Sequence, residues 1–331
     1  DYVYNSIISK IKLSHIIEFV KNYKSPCKPT FKFSRYKISF YNGVLELDNF
    51  CFTPYDKYRF DFDNASSGYH DLEIDSECFD DVSRLREIAQ EVNIKEYFRS
   101  NIFQKIETPL FDRIFKYQEY NIDEMIFIYG FLGRLYYDVG ECDNWARAVE
   151  LYGASGTGKS LVINVVTSIY SGIGLDKVYS AQACGEATFG LYDVVRTGSF
   201  ILALHELRGD SGFRFISIGD FLRIIEGGAA NLPVKYKQPY RIDHWKIPVI
   251  IASNDASPFK QIFTEVSRRL LRVWFSQKVS VDDYDADLEE KILKSERHKI
   301  YLKLVAAYRY LLTLCEIDGY TSIDKHIPCL L

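Results

Sequence analysis

The sequence predicts an α/β fold with a mostly parallel sheet, flanked by a mixed or helical N-terminal region and a small C-terminal helical segment. Two observations carry this. From Arg147 onward short β-branched runs alternate with helical patterns, and a Gly-rich turn joins the first such strand to the first such helix. Strand–helix alternation is how a parallel sheet covered by helices reads in sequence. Strands are expected at 148–152, 178–180, 200–204, 249–252 and 271–275, and helices at 159–170, 216–225 and 265–270.

Ahead of this block, residues 3–23 space their apolar positions as one face of an amphipathic helix, which Ser25-Pro26-Cys27-Lys28-Pro29 breaks. Residues 31–60 alternate apolar and polar side chains around Asn42-Gly43, a hairpin signal. From Asp61 to Asp81 eight acids occur without a Lys or Arg, so a solvated loop is expected. Residues 82–138 and 282–316 read as mainly helical, and the chain is irregular from Asp318. The expected division is 1–100 mixed α/β, 101–146 a helical segment, 147–275 the core, and 276–331 a C-terminal helical segment.

Composition narrows the function. Apolar residues make up 47% and charged residues 26% of 331, so an ordinary globular core is expected. The chain shows neither a positively charged apolar leader nor a run apolar enough to span a bilayer, and it reads as a soluble, intracellular piece of a longer polypeptide. Seven cysteines lie scattered without a CxxC or paired His spacing, pointing to free thiols and away from a zinc site. The net charge of −4 is uneven: residues 147–275 hold 15 Lys and Arg against 11 Asp and Glu, leaving a balance of −8 elsewhere. That excludes a uniformly basic DNA-coating protein, though not a motor that grips phosphates at one interior loop.

The strongest motif is Gly153-Ala154-Ser155-Gly156-Thr157-Gly158-Lys159-Ser160, which satisfies G-x-x-x-x-G-K-[ST] after an apolar strand and before an amphipathic helix. Glycines let backbone N–H groups turn toward phosphates, and the helix N-terminus adds positive potential. Lys159 is expected to reach the β- and γ-phosphates of ATP and Ser160 to hold Mg²⁺. About forty residues on, Ser199-Phe-Ile-Leu-Ala-Leu-His205-Glu206 is an apolar strand ending in an acid. Glu206 can bind Mg²⁺ or polarise the attacking water. His205, where many such motors carry a second acid, reads as a packed or hydrogen-bonded neighbour rather than a ligand.

Downstream, a helix ends at Gly227-Gly228 and Val234-Lys235-Tyr236-Lys237 follows, a hairpin with cationic tips or flanks. Lys235 and Lys237 beside a tyrosine suit DNA phosphates and base stacking. The strand into Asn254 delivers an amide at its C-terminal tip, where ligands of parallel sheets bind, so Asn254 is a candidate sensor of the γ-phosphate or lytic water. Arg268 and Arg269 then precede another apolar run. An arginine supplied across a subunit boundary can stabilise a transferring phosphoryl group.

The ordered set GASGTGKS, FILALHEL, the Gly-Gly/Lys-Tyr-Lys segment, PVIIASND and SRRLLRVWF resembles the superfamily 3 helicases of DNA viruses, in particular the poxvirus-type primase-helicases also found in other large DNA viruses and phages. Upstream, the stretch from Ser39 to Asp48 is similar to the NGVLDL hairpin of that group, and the segments around Thr108 and Gly133 to the helices leading into its P-loop. The two-acid Walker B ending is absent, but this group commonly keeps a single Glu. The resemblance implies an AAA+ type P-loop NTPase core with a helical collar, assembled as a homo-oligomer, a hexameric ring with ATP between subunits. It further implies Lys159, Ser160, Glu206 and Asn254 acting in one subunit and Arg269, helped by Arg268, reaching in from its neighbour. Single-stranded or forked DNA would pass the Lys235/Lys237 hairpin. An upstream primase domain, other replication proteins as partners, no membrane, and a place in the host-cell cytoplasm or nucleus complete the expectation. The rivals are another P-loop DNA motor, for packaging or initiation, and a nucleotide-stabilised structural oligomer with weak hydrolysis.

Overall fold

The computed structural model describes residues 32–48, 50–61, 64–74, 81–172, 175–182, 190–207, 218–234, 236–254, 264–319 and 323–328. The helix expected over 3–23 and its proline break lie outside the described residues.

The described chain begins with short strands: β1 (Phe33–Ser34), β2 (Lys37–Phe40), β3 (Gly43–Glu46), β4 (Cys51–Pro54), β5 (Ala65–Ser66) and β6 (Tyr69–His70). Four of them form a sheet in the order β4-β3-β2-β6, and β1 pairs with β5. The expected hairpin is present one residue early: Phe40 pairs with Gly43, so Tyr41-Asn42 is the turn and Gly43 opens β3. A β-carbon at Gly43 would sit 2.5 Å from the Thr53 carbonyl oxygen, so the glycine serves strand packing rather than the turn. The acidic stretch is not simply a solvated loop. Its Ala65-Ser-Ser-Gly-Tyr-His70 portion pairs with β1 and β2, burying Ala65 and His70. Surrounding acids hid this short run, which is too brief to show a period.

Helices follow where expected: α1 (Leu85–Glu91), α2 (Ile94–Tyr97), a π-helical turn Phe98–Phe103, α3 (Pro109–Tyr117) and α4 (Ile122–Arg134). A capping box starts α4: the Asn121 side chain accepts from Glu124 N while Glu124 returns a bond to Asn121 N at 2.8 Å. Every residue of α4 from Glu124 to Arg134 is buried, so this is an interior helix and shows little amphipathic pattern.

The core follows as β7 (Ala148–Tyr152), α5 (Lys159–Thr167), the short pair β8 (Ser171–Gly172) and β9 (Leu175–Asp176), β10 (Val178–Gln182), α6 (Gly190–Arg196), β11 (Ile201–Leu207) and α7 (Ile218–Ile225). Then come β12 (Ala230–Leu232), β13 (Tyr240–Ile242), β14 (Val249–Ser253), α8 (Thr264–Ser267) and β15 (Leu270–Trp274). Five strands make one all-parallel sheet in the order β10-β11-β14-β7-β15. Alternation along them splits the core. Val149, Leu151, Ile250, Ala252, Leu271 and Val273 join the cluster containing α3, α4 and α5, while Ala148, Leu202, Leu204, Val249, Ile251 and Leu270 join the one containing α6 and α7. Truncating a fully buried ring such as Phe221 would cost about 3–5 kcal/mol.

Finally α9 (Leu288–Ser295) and α10 (Arg297–Ile317) pack back on the helical face, with α10 lying along α4. Polar pins lock this face. Glu296 accepts from Leu110 N at 2.9 Å and Phe111 N at 3.0 Å, satisfying the otherwise uncapped start of α3. Lys303, 2% exposed, donates to both Asp112 oxygens at 2.9 and 3.2 Å. Buried Arg35 reaches from the N-terminal strands to Asp138, to the Leu135 carbonyl at 3.1 Å and to the Phe200 carbonyl at 2.8 Å, tying that sheet to the entry of β11. No described helix is long and apolar enough to cross a membrane.

Candidate functional site

The Gly-rich motif lies between β7 and α5 as a strand–loop–helix. Gly158 stands at the N-cap of α5 with φ +97°, a left-handed conformation that glycine adopts without a β-carbon clash, and this lets the loop turn straight into the helix. The chain behind it braces the loop. Phe275 N donates to Tyr152 O at 2.7 Å, Val279 N to Gly156 O at 3.1 Å, and the Gln118 amide to Thr157 O at 3.2 Å. Inside it, the Thr157 hydroxyl donates to Ala154 O at 2.9 Å.

Lys159 is 6% exposed, and its ammonium is folded over its own loop, donating to the carbonyls of Gly153 and Ala154, both at 2.7 Å. Burial lowers its pKa from the usual lysine value. Ser160, the next residue, is exposed. A cavity of about 210 Å³ opens over the loop, lined by Ser155 through Leu161 together with His205, Ala252 and Asn254. Three segments distant in sequence thus meet at the C-terminal ends of β7, β11 and β14. Asn254 is exposed at the tip of β14, as its position in sequence predicts.

His205 faces this cavity, which sequence reasoning did not anticipate. Plain alternation accounts for it: Ile201 and Ala203 face the cluster that contains α5, and His205 is the next residue on that face. Between Leu204 and Leu207 β11 carries one residue more than β14. Glu206 lies in β11, one residue further on; its side chain is outside the described residues. Among the described residues no cluster of three His, Cys, Asp or Glu side chains could hold a metal.

On its other side the P-loop borders a small apolar cleft of about 60 Å³, where Thr157, Gly158 and Leu161 meet Ile114, Tyr117, Val279 and Leu288. Nothing in the local motif announces these residues, which come from α3 and from the approach to α9.

Arg268 and Arg269 are not part of this chain's cavity. Leu270 pairs with Ala148, which sets Arg269 level with Arg147, six residues before Gly153 and roughly 20 Å down the sheet from the loop at the usual rise per strand residue. Arg268 is exposed, while Arg269 is ion-paired with Glu226 at the end of α7. The expected hairpin is present: β12 and β13 pair antiparallel, and Tyr236 and Lys237 lie in the loop that joins them. Lys237 is exposed in it, Tyr236 is 93% exposed, and Lys235 lies outside the described residues.

Comparison with protein-family models and with curated proteins finds no match. Among solved structures, the chain is similar to an apo A form of the C-terminal region of NrS-1, at 17% identity and TM-score 0.45, over 61% of this chain and 46% of that one. A second apo structure of that region gives 17% and 0.45 over 60% and 46%, and a third gives 14% and 0.40 over 59% and 44%. The chain spans less than half the length of those neighbours.

Proposed function

We infer that this chain is the motor part of an ATP-driven DNA helicase from a viral replication protein, working as a ring of identical subunits. One observation carries the reading: the P-loop, His205 and Asn254 share a single cavity at the carboxyl ends of adjacent parallel strands, where ligands of such sheets bind. The order β10-β11-β14-β7-β15 sets the Asn254 strand between the P-loop strand and the Glu206 strand, which suits an AAA+ type core.

In this reading Lys159 leaves its loop carbonyls for the β- and γ-phosphates of ATP, whose triphosphate also accepts from the loop amides. Ser160 and Glu206 hold Mg²⁺ and Asn254 orients the lytic water. The apolar cleft beyond Thr157 takes the base. Arg269, with Arg268, serves the neighbouring subunit's site, since the register keeps it from its own. Lys235 and Lys237 follow single-stranded DNA through the ring. The hexamer, the upstream primase, the replication partners and the host-cell cytoplasm extend this proposal from the family resemblance.

Displacement of one strand from a forked duplex with ATP and Mg²⁺ tests it, with Lys159→Ala as the inactive control. ATP turnover without unwinding would instead favour a packaging or initiator motor. His205 in the cavity, where a second acid is usual, favours one other reading, an oligomer glued by nucleotide with weak hydrolysis. Negligible turnover in both the unaltered chain and Glu206→Gln would support that reading and sink the motor.

A further inference from the structure

The P-loop strand Ala148-Val-Glu-Leu-Tyr152 carries an acid at its centre, and Glu150 is 1% exposed. Each neighbouring strand sends it a donor. Ser253 Oγ on β14 donates to one carboxylate oxygen at 2.8 Å, and Arg272 Nε on β15 to the other at 3.1 Å. The register explains the geometry: Glu150 pairs with Arg272 on one side and Ile251 on the other, and Ser253, two residues beyond Ile251, shares that face. Burial pushes the Glu150 carboxyl up, opposed by the Ser253 bond and the Arg272 charge.

Buried ion pairs add little net stability over apolar residues of similar volume, and their best-attested use is to hold register. Here the register held is that of the site. Ser253 is followed directly by Asn254, which lines the cavity, and the Ser253 carbonyl accepts from Gly153 N at 3.2 Å. Arg272 follows Arg268 and Arg269 on the same stretch of chain.

We propose that Glu150 is a positioning residue for nucleotide turnover, holding Asn254 through Ser253 and linking that strand tip through Arg272 to the strand that presents Arg268 and Arg269. The inference rests on the reading of the cavity as an ATPase site. A strand tip displaced by a fraction of an ångström would leave nucleotide binding to the P-loop largely intact while misplacing the water-orienting amide.

The test compares the unaltered chain with Glu150→Gln, Ser253→Ala and the double variant, measuring kcat and KM for ATP, the Kd of a fluorescent ATP analogue, and thermal unfolding. Glu150→Gln is expected to lower kcat by about tenfold or more, because small misplacements of catalytic groups act mainly on the chemical step. Kd should stay within about twofold. Ser253→Ala should act in the same direction, and the double variant should be no worse than Glu150→Gln alone. If Glu150→Gln does not fold, Ser253→Ala, which removes one hydroxyl, still decides the question by the same split between kcat and Kd. Unchanged kcat per folded molecule, or kcat and Kd worsening in step with the folded fraction, would overturn the proposal. No turnover by the unaltered chain would sink the ATPase reading itself, and this proposal with it.

Discussion

The Gln118 side chain holds Gln277 by both of its main-chain groups, donating to the carbonyl and accepting from the N–H, each at 2.8 Å. The same amide donates to Thr157 O in the P-loop. One buried side chain from the end of α3 thus binds the nucleotide loop to the segment leaving β15. Gln118→Ala leaves three main-chain groups to find new partners in a largely closed space. We expect a loss of about 1–3 kcal/mol in denaturant unfolding, the usual cost of stranding buried polar groups. Weaker nucleotide binding should accompany it, read by titration of a fluorescent ATP analogue. Unchanged affinity would mean that the loop keeps its shape without this brace.

The distance of Arg269 from its own P-loop makes a trans role testable by mixing. Lys159→Ala and Arg269→Ala should each abolish ATP turnover, while Arg269→Ala keeps nucleotide affinity. Mixed, the two variants should regain part of the activity, because some boundaries then pair an intact P-loop with an intact arginine. The measured quantity is turnover against mixing ratio, and a flat line at zero would argue against the trans role. Arg269 also has to leave Glu226 to act, so Glu226→Gln is expected not to impair turnover.

Much of the core was legible because its strands are β-branched runs bounded by turns, and a buried parallel strand needs that character on both faces. Expected strand positions fall within a few residues of β7, β10, β11, β14 and β15. The P-loop was legible for a sharper reason: its glycines and lysine are dictated by backbone geometry and phosphate chemistry together. What escaped had no local signal. His205 shares a face with Ile201 and Ala203 by alternation, but which face of β11 meets the P-loop is set by the neighbouring strands and α5. Gln118 and Glu150 owe their importance to partners more than a hundred residues away, and a Gln at a helix end or a Glu in a strand announces nothing alone. α6 went unseen because Gly190 to Arg196 is only seven residues long.

The loop between β12 and β13 carries Lys237 in the open beside the exposed Tyr236. Replacing Lys235 and Lys237 together with Ala should weaken DNA-stimulated turnover while leaving DNA-free turnover in place. If both lysines meet phosphates, the slope of log affinity for single-stranded DNA against log salt should flatten by about 1.4, from roughly 0.7 per phosphate contact. Tyr236→Ala should lower affinity without altering that slope, since stacking releases no counterions. An unchanged slope in the double variant would assign the DNA contact to another surface.

His70 offers a stability probe independent of nucleotide. It is 2% exposed against Ile169 O at 2.9 Å, and burial depresses its pKa from 6.5 to about 4. The neutral ring, protonated at Nε2, donates to that carbonyl. Between pH 6.5 and 4 the unfolded chain binds a proton that the folded chain refuses, so stability falls as pH falls through this window. Above it the contribution is complete and constant. A depression of this size corresponds to about 3 kcal/mol by the linkage relation. His70→Gln, which can still donate to Ile169 O, removes the titration. The difference in unfolding free energy between the two proteins should therefore shrink, or change sign in favour of the variant, on going from pH 7 to pH 4. Denaturant unfolding at four or five pH values measures it, and parallel curves would show that His70 titrates normally and that its strand opens to water.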